Sequence, residues 1–322
     1  MKFSVISEKK GNSFSAFLYL AFSLFGFFVL LIFPEAAAAS AKKAVYVCLE
    51  TLLPSLFPFF VFSNLAVSFG FSRVCKKLFS RLMLPVFRTS SATATPLVLG
   101  LLSGFPVGAS SSAQLYVNGE ISKSDCEKAL TFSNSPSAGF IVTAVGLGVF
   151  KSVAVGRRLY FTVLFSSFLS AFFTCRLFGG EPAVGEKTCK KNEKRPFIPE
   201  FLSAVVSAGK SILSVSAFVV FFFVVCGIIS AVLPLTQSVF AAVAGFFEIS
   251  SGASALLPVR SPENLALAAA LLSWSGLSVH FQVLSQTSTV GISPVPYLFS
   301  KLLAAVISAA VSFAAFFLFG IS

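Results

Sequence analysis

The sequence predicts an all-α polytopic membrane protein built from inverted repeats, with about seven transmembrane helices and two re-entrant hairpins. Three observations predict it. The chain of 322 residues is 56% hydrophobic and 11% charged, with 41 Phe, and its mean hydropathy of +0.90 is too apolar for a soluble domain. Two apolar stretches, Gly100 to Ser110 and Gly245 to Ser254, carry Gly, Ser and either Pro or Glu where a plain membrane helix would carry Leu and Val. In hydrocarbon every backbone N–H and C=O needs a partner, so a broken helix survives there only when buried in protein or lining a polar cavity. Finally, the basic residues sit in short loops beside apolar runs, as topology determinants do.

In chain order, Lys2, Lys9 and Lys10 precede an apolar run from about Phe14 to Phe33, followed by P-E-A-A-A-A-S-A. Roughly twenty apolar residues suit a membrane span better than a signal peptide, so an uncleaved first helix is expected. A second span, about Ala44 to Phe71, contains Pro54 and Pro58, each of which removes a helix hydrogen bond and predicts a kink. Residues 71 to 88 alternate Arg and Lys with aliphatic side chains at helical spacing and read as an amphipathic helix on the anionic cytoplasmic leaflet. After the first interrupted stretch, the span 129 to 150 is broken by S-N-S-P-S-A-G at 133 to 139. Arg158 to Leu177 is a plain span, and the polar residues 179 to 200 read as a linker. Then follow a span at about Leu202 to Leu233, the second interrupted stretch, a segment at Leu265 to Thr289 broken at 273 to 282, and a terminal helix at Tyr297 to Phe319.

The halves align. The run at 52 to 62 matches that at 212 to 222, and the G-A-S elements at 108 to 110 and 252 to 254 coincide. Gly108 lies 26 residues before Asn134 and Gly252 lies 23 before Ser275, so the second breaks coincide too. The expected division is 1–34 for the first helix, 35–178 for the first repeat, 179–200 for the cytoplasmic linker and 201–322 for the second repeat. With a cytoplasmic N-terminus, most of the 24 Lys and Arg fall inside, Lys301 among them; Lys42, Lys43, Lys151, Arg157, Arg158 and Arg260 fall outside, and Lys210 lies near a helix end. That topology orients the two repeats oppositely, which places a substrate site at the midplane where broken helices meet.

The expected substrate site comprises Ser103, Gly104, Pro106, Gly108, Ser133, Asn134, Ser135, Pro136, Glu248, Ser250, Ser251, Gly252, Ser275, Gly276, His280 and Gln282. Glu248 is the one acidic residue deep in an apolar segment, where a carboxylate must be paired, protonated or wet; the plainer reading is a helix end that reaches solvent. His280, the sole histidine, can titrate near neutral pH or simply pack. The small residues supply hydroxyls and free backbone groups, or merely allow close helix packing. Half-helix N-termini there would favour anionic or polar ligand groups. Six scattered cysteines without C-x-x-C pairs or companion histidines predict neither a metal site nor a disulfide. No phosphate loop, zinc motif or nucleophile elbow is present, so neither a cofactor nor an enzyme is expected. Expected partners are membrane lipid, a small polar solute and, as one alternative, a second copy of the chain; nucleic acid is not among them.

P-E at 34 to 35, L-L-P-S-L-F-P-F-F at 52 to 60, L-L-S-G-F-P-V-G-A at 101 to 109, S-N-S-P-S-A-G-F at 133 to 140, F-E-I-S-S-G-A at 247 to 253 and L-S-V-H-F-Q at 277 to 282 together resemble the YlbJ-type sporulation integral membrane proteins, which carry a nucleoside-recognition (Gate) domain. The resemblance spans roughly residues 34 to 320. It implies a role in making resistant spores, with other sporulation membrane proteins as the alternative partners to a second copy, and Gate domains are similar to parts of concentrative nucleoside transporters and ferrous-iron permeases. The expected function is to pass or sense a small polar solute, a nucleoside or another metabolite. The alternative is a membrane scaffold for spore-envelope assembly that transports nothing.

Overall fold

A computed structural model describes residues 13–178 and 196–319, and the described residues form helices without strands. Most of the polar linker, with Lys187, Lys190, Lys191, Lys194 and Arg195, lies outside them, as do Lys2, Lys9 and Lys10.

Helix α1 (Ser13–Ile32) is apolar on every side and exposed along its length, as befits a lipid-facing span. Beyond Phe33 the chain becomes helical again at once. Pro34 sits in the first turn, where its missing N–H is harmless, Glu35 faces the positive helix end, and the alanines that follow favour helix. The second span is therefore longer than the sequence predicted: α2 (Pro34–Val47) runs through a π-helical turn (Cys48–Leu52) into α3 (Leu53–Ser68). The predicted proline disruption is taken up by that π turn just before Pro54, while Pro58 is accommodated inside α3.

Helix α4 (Phe71–Phe87) begins and ends at left-handed residues, Gly70 and Arg88. Its side facing the protein carries Ser72, Cys75, Met83 and Phe87, while Val74, Leu78 and Leu82 are exposed between cations. Its final carbonyls are capped by basic residues from elsewhere. Arg176 donates to Pro85 O and Val86 O at 2.8 and 2.7 Å, and Lys128 donates to Arg88 O at 3.0 Å.

The first hairpin is α5 (Ala94–Ser103) and α6 (Val107–Val117), joined by a turn at Gly104 with a cis Phe105–Pro106 peptide. It starts and ends on one face: Ser90 N donates to Asp125, and Ser72 Oγ donates to Glu120 at 2.6 Å. Helix α7 (Lys123–Ser133), opened by a Ser122–Asp125 capping box, leads into the break at 134 to 137 and then a π-helical stretch (Phe140–Val149). Next come α8 (Val153–Leu177) and α9 (Phe197–Val232). The second hairpin is α10 (Gln237–Phe247) and α11 (Ile249–Ala255), broken only at Glu248. It begins and ends on the opposite face, where Arg260 donates to Phe150 O at 3.3 Å. Helices α12 (Pro262–Trp274) and α13 (Gly276–Thr287) flank the break at Ser275, and α14 (Val295–Phe319) completes the chain.

Among the described residues six helical runs are long and apolar enough to cross a membrane, and the broken α7 and π-helical pair occupies the segment where the sequence predicted a further span. Helices that the repeat alignment sets as counterparts pack against each other and run antiparallel. Along α2, α3 and α9, Ser40 lies beside Gly227, Cys48 beside Ser216 and Asn64 beside Ala204. Along α8 and α14, Ser170 meets Ser300 while Arg158 and Val155 line one cavity with Ser312 and Val311. Hydrophobic transfer cannot hold such helices together in lipid, so close approach of small residues and interhelical hydrogen bonds must.

Candidate functional site

Each hairpin folds back because glycines let its two arms touch. In the first, a methyl added at Gly100 or Gly108 would overlap the Ser133 carbonyl, which is wedged between α5 and α6. In the second, a methyl at Gly252 would overlap the Gly245 backbone. Gly108 and Gly252 thus lie inside helices, as crossing points. The interruptions lie inside the two stretches that the sequence singled out, at Gly104–Pro106 and at Glu248, a few residues before the G-A-S elements that align the halves. The physical reason is that Gly104 adopts φ +80° and Glu248 an extended backbone, whereas Gly108 and Gly252 keep helical geometry.

Both hairpin tips press against the second break of their own half. Phe105 N donates to Ser135 O at 3.2 Å, and a side chain at Gly104 would meet Ser137 at 2.9 Å. Likewise a side chain at Gly276 would meet Ile249 N and the Glu248 backbone at 3.0 to 3.2 Å. Ser275 and Gly276 are both left-handed, at φ 76° and 84°. For Ser275 this costs about 1–2 kcal/mol, which the packed tip must offset.

Asn134 and Glu248 do matching work in the two halves. Asn134 Oδ1 accepts from Ala109 N at 3.1 Å, capping α6 from outside, while its Nδ2 donates to Leu130 O and Ser133 Oγ. Glu248 accepts from Ser251 N at 2.6 Å, capping α11 from its own N-terminus. Both side chains are buried, at 1% exposure, so the carboxylate does not reach solvent. Ser103, Ser133, Ser135, Ser275, His280 and Gln282 are buried as well, with Gly104, Pro106, Gly108, Pro136, Gly252 and Gly276; Ser250 and Ser251 are half-buried. Gln282 is spent locally on Ser278 Oγ.

What joins the halves is a residue the sequence reading assigned elsewhere. Lys301 was expected on the cytoplasmic side; it is buried at 2% exposure, and its ammonium donates to Asn134 O and to Ser275 Oγ, the latter at 3.5 Å. One cation therefore bridges the break of the first half to the break of the second. Among the described residues it forms no ion pair with a carboxylate. The signal was present: a single Lys stands six residues inside the apolar α14, with no acid in that helix to pair with it. Charge counting missed it because position in a sequence does not separate a snorkelling lysine from one turned inward.

Over 330 aligned residues the chain is 28% identical to "Sporulation integral membrane protein YlbJ" of Bacillus subtilis (strain 168), covering 91% of this chain and 80% of that protein. No family model matches, and no solved structure does. The chain is thus a multi-pass integral membrane protein, similar over nearly its whole length to a YlbJ-type sporulation integral membrane protein.

Proposed function

We propose that the chain serves spore formation as a non-enzymatic, transporter-like protein that passes or senses a small polar solute bearing an anionic group. One observation carries this reading: Lys301, a buried cation without a carboxylate partner among the described residues, lies where the breaks of two opposed halves meet. An intramembrane charge is expensive, so its retention at such a junction favours a ligand or coupling role. The surrounding carbonyl and hydroxyl leave the charge without a counter-ion, and a solute anion would supply one. The antiparallel pairing of equivalent helices supports alternating access, with the present closed packing as one state of the cycle.

A scaffold is the second reading, favoured by the tight burial of Asn134 and Glu248 and their use as helix caps. Heat-resistant spore counts from an endospore-forming host that lacks its own copy separate the two. Lys301→Met, inserted at the wild-type level, should lose the spores if the chain carries a solute and keep them if it is a scaffold. Thermal-shift screening of purified protein against metabolites should find an anionic stabiliser. At about 100 times its Kd such a ligand adds about 2.7 kcal/mol, and Lys301→Met should abolish that gain.

A further inference from the structure

Lys301 stands one helical turn after Tyr297 on α14, and Tyr297 Oη is hydrogen-bonded to His280 Nδ1 at 2.9 Å. His280 is 2% exposed, and among the described residues its Nε2 has no hydrogen-bond partner. In the tautomer that donates from Nδ1 to Tyr297, one of the two that this hydrogen bond allows and the one the proposal below uses, the other ring nitrogen carries no proton. Nε2 is then an open lone pair. A proton donor and an unused acceptor thus share one buried region at the junction of the halves.

We propose that Lys301 and His280 form the proton site of the transport cycle, which makes a proton the coupling ion; this rests on the transporter-like reading above. With its proton, Lys301 ties Asn134 O to Ser275 Oγ and holds the two breaks together. The proton leaves Nζ for Nε2 of His280, giving a neutral amine and an imidazolium, and passes from there to water. The charge-assisted hold on the breaks is then lost and they separate. The other ionisable groups on the surrounding elements are engaged elsewhere or exposed. Tyr297 bonds to His280, the Glu248 carboxylate is engaged by Ser251 N, and Cys175 on α8 is paired with Thr131. Asp125 and Glu127 on α7 accept from Ser90 N and Ser293 N, Cys126 is buried in the apolar core on α7, and Arg176 on α8 donates to Pro85 O and Val86 O. Arg157 and Arg158 on α8 and Glu263 on α12 are exposed, and Tyr160 on α8 is half-buried. On α7, Lys128 is directed to Arg88 O.

Trp274, the one tryptophan of the sequence, is a reporter already in place. It immediately precedes Ser275, and its ring stands edge-on to His280 with centroids 4.4 Å apart. The experiment is a titration of Trp274 emission in the full-length protein, held in lipid nanodiscs, from about pH 6 to about pH 10. Wild type should shift to the red in one step as pH rises and water reaches the separated breaks. Lys301→Arg, which keeps its charge throughout, should remain blue and flat. His280→Gln should reach the same end points but more than tenfold more slowly after a pH jump. A flat wild-type trace, or a step that persists in Lys301→Arg, overturns the proton site; a His280→Gln jump as fast as wild type overturns the relay. Because no solute is added, these outcomes leave the metabolite stabilisation test of the transporter-like reading standing or falling by itself.

Discussion

Asn134 illustrates how one polar residue in an apolar run can serve two parts of the fold at once. Its amide caps α6 and its backbone carbonyl receives Lys301. Asn134→Ala removes a cap, a change that costs about 0.5–2 kcal/mol. It should therefore lower the midpoint of thermal unfolding in detergent while leaving the Lys301 contact to the carbonyl intact. Glu248→Gln keeps an oxygen acceptor for Ser251 N, so a smaller loss of stability is expected from the same measurement. If Glu248→Gln proves the more damaging of the two, the carboxylate charge does something beyond capping. The sequence singled out both residues because Asn and Glu are costly in lipid, and it could not tell a cap from a ligand contact. Capping depends on which backbone N–H comes within reach, and for Asn134 that N–H lies 25 residues away. Lys301 was hidden for the converse reason: its local sequence fits a helix near the membrane surface, and only the pairing of α14 with α7 and α12 turns it inward.

At the scale of the element, the hairpins were legible and their turning points were not. Runs of Gly and Ser identified the segments, but a run with several glycines leaves open which one bends and which one merely lets a neighbour approach. The structure divides those tasks between Gly104, which takes the left-handed backbone, and Gly100 and Gly108, which take the contact. The second hairpin tests this division cleanly. A methyl at Gly245 would meet the side-chain carbons of Leu271, which can rotate away, whereas one at Gly252 would meet the Gly245 backbone, which cannot. Gly252→Ala should therefore destabilise more than Gly245→Ala, by the 1–3 kcal/mol or so that overpacking typically costs. Equal unfolding midpoints for the two variants would mean that the arms of the hairpin are not in contact. The π turn at Cys48–Leu52 teaches a related lesson. The prolines announced a disturbance in the second span, but it settled one turn upstream of Pro54, because a proline disturbs the carbonyls before it and not the residues after it.

For the whole molecule, the decisive relation is that the two hairpins enter from opposite faces. The sequence reached this through the distribution of cations, and the contacts reach it independently. Phe69 stacks on Phe197, Glu127 accepts from Ser293 N and Phe178 packs on Phe299, which gathers the ends of α3, α8, α9 and α14 beside α4 on one face. Phe150 and Arg260 mark the other. Asn118, just after the first hairpin, and Val259, just after the second, are both exposed and belong to opposite faces. The five cysteines among the described residues are buried, so a new surface thiol should dominate labelling once the background at Cys189 is removed by a Cys189→Ser change. In intact cells, a membrane-impermeant maleimide should label Val259→Cys and spare Asn118→Cys, since the Arg- and Lys-rich α4 draws its face to the cytoplasm. After lysis both should label. Labelling of both sites in intact cells, or of neither, would put the hairpins on one face. The breaks would then no longer meet from opposite sides, and Lys301 could not be the joint that the proposed transport cycle requires.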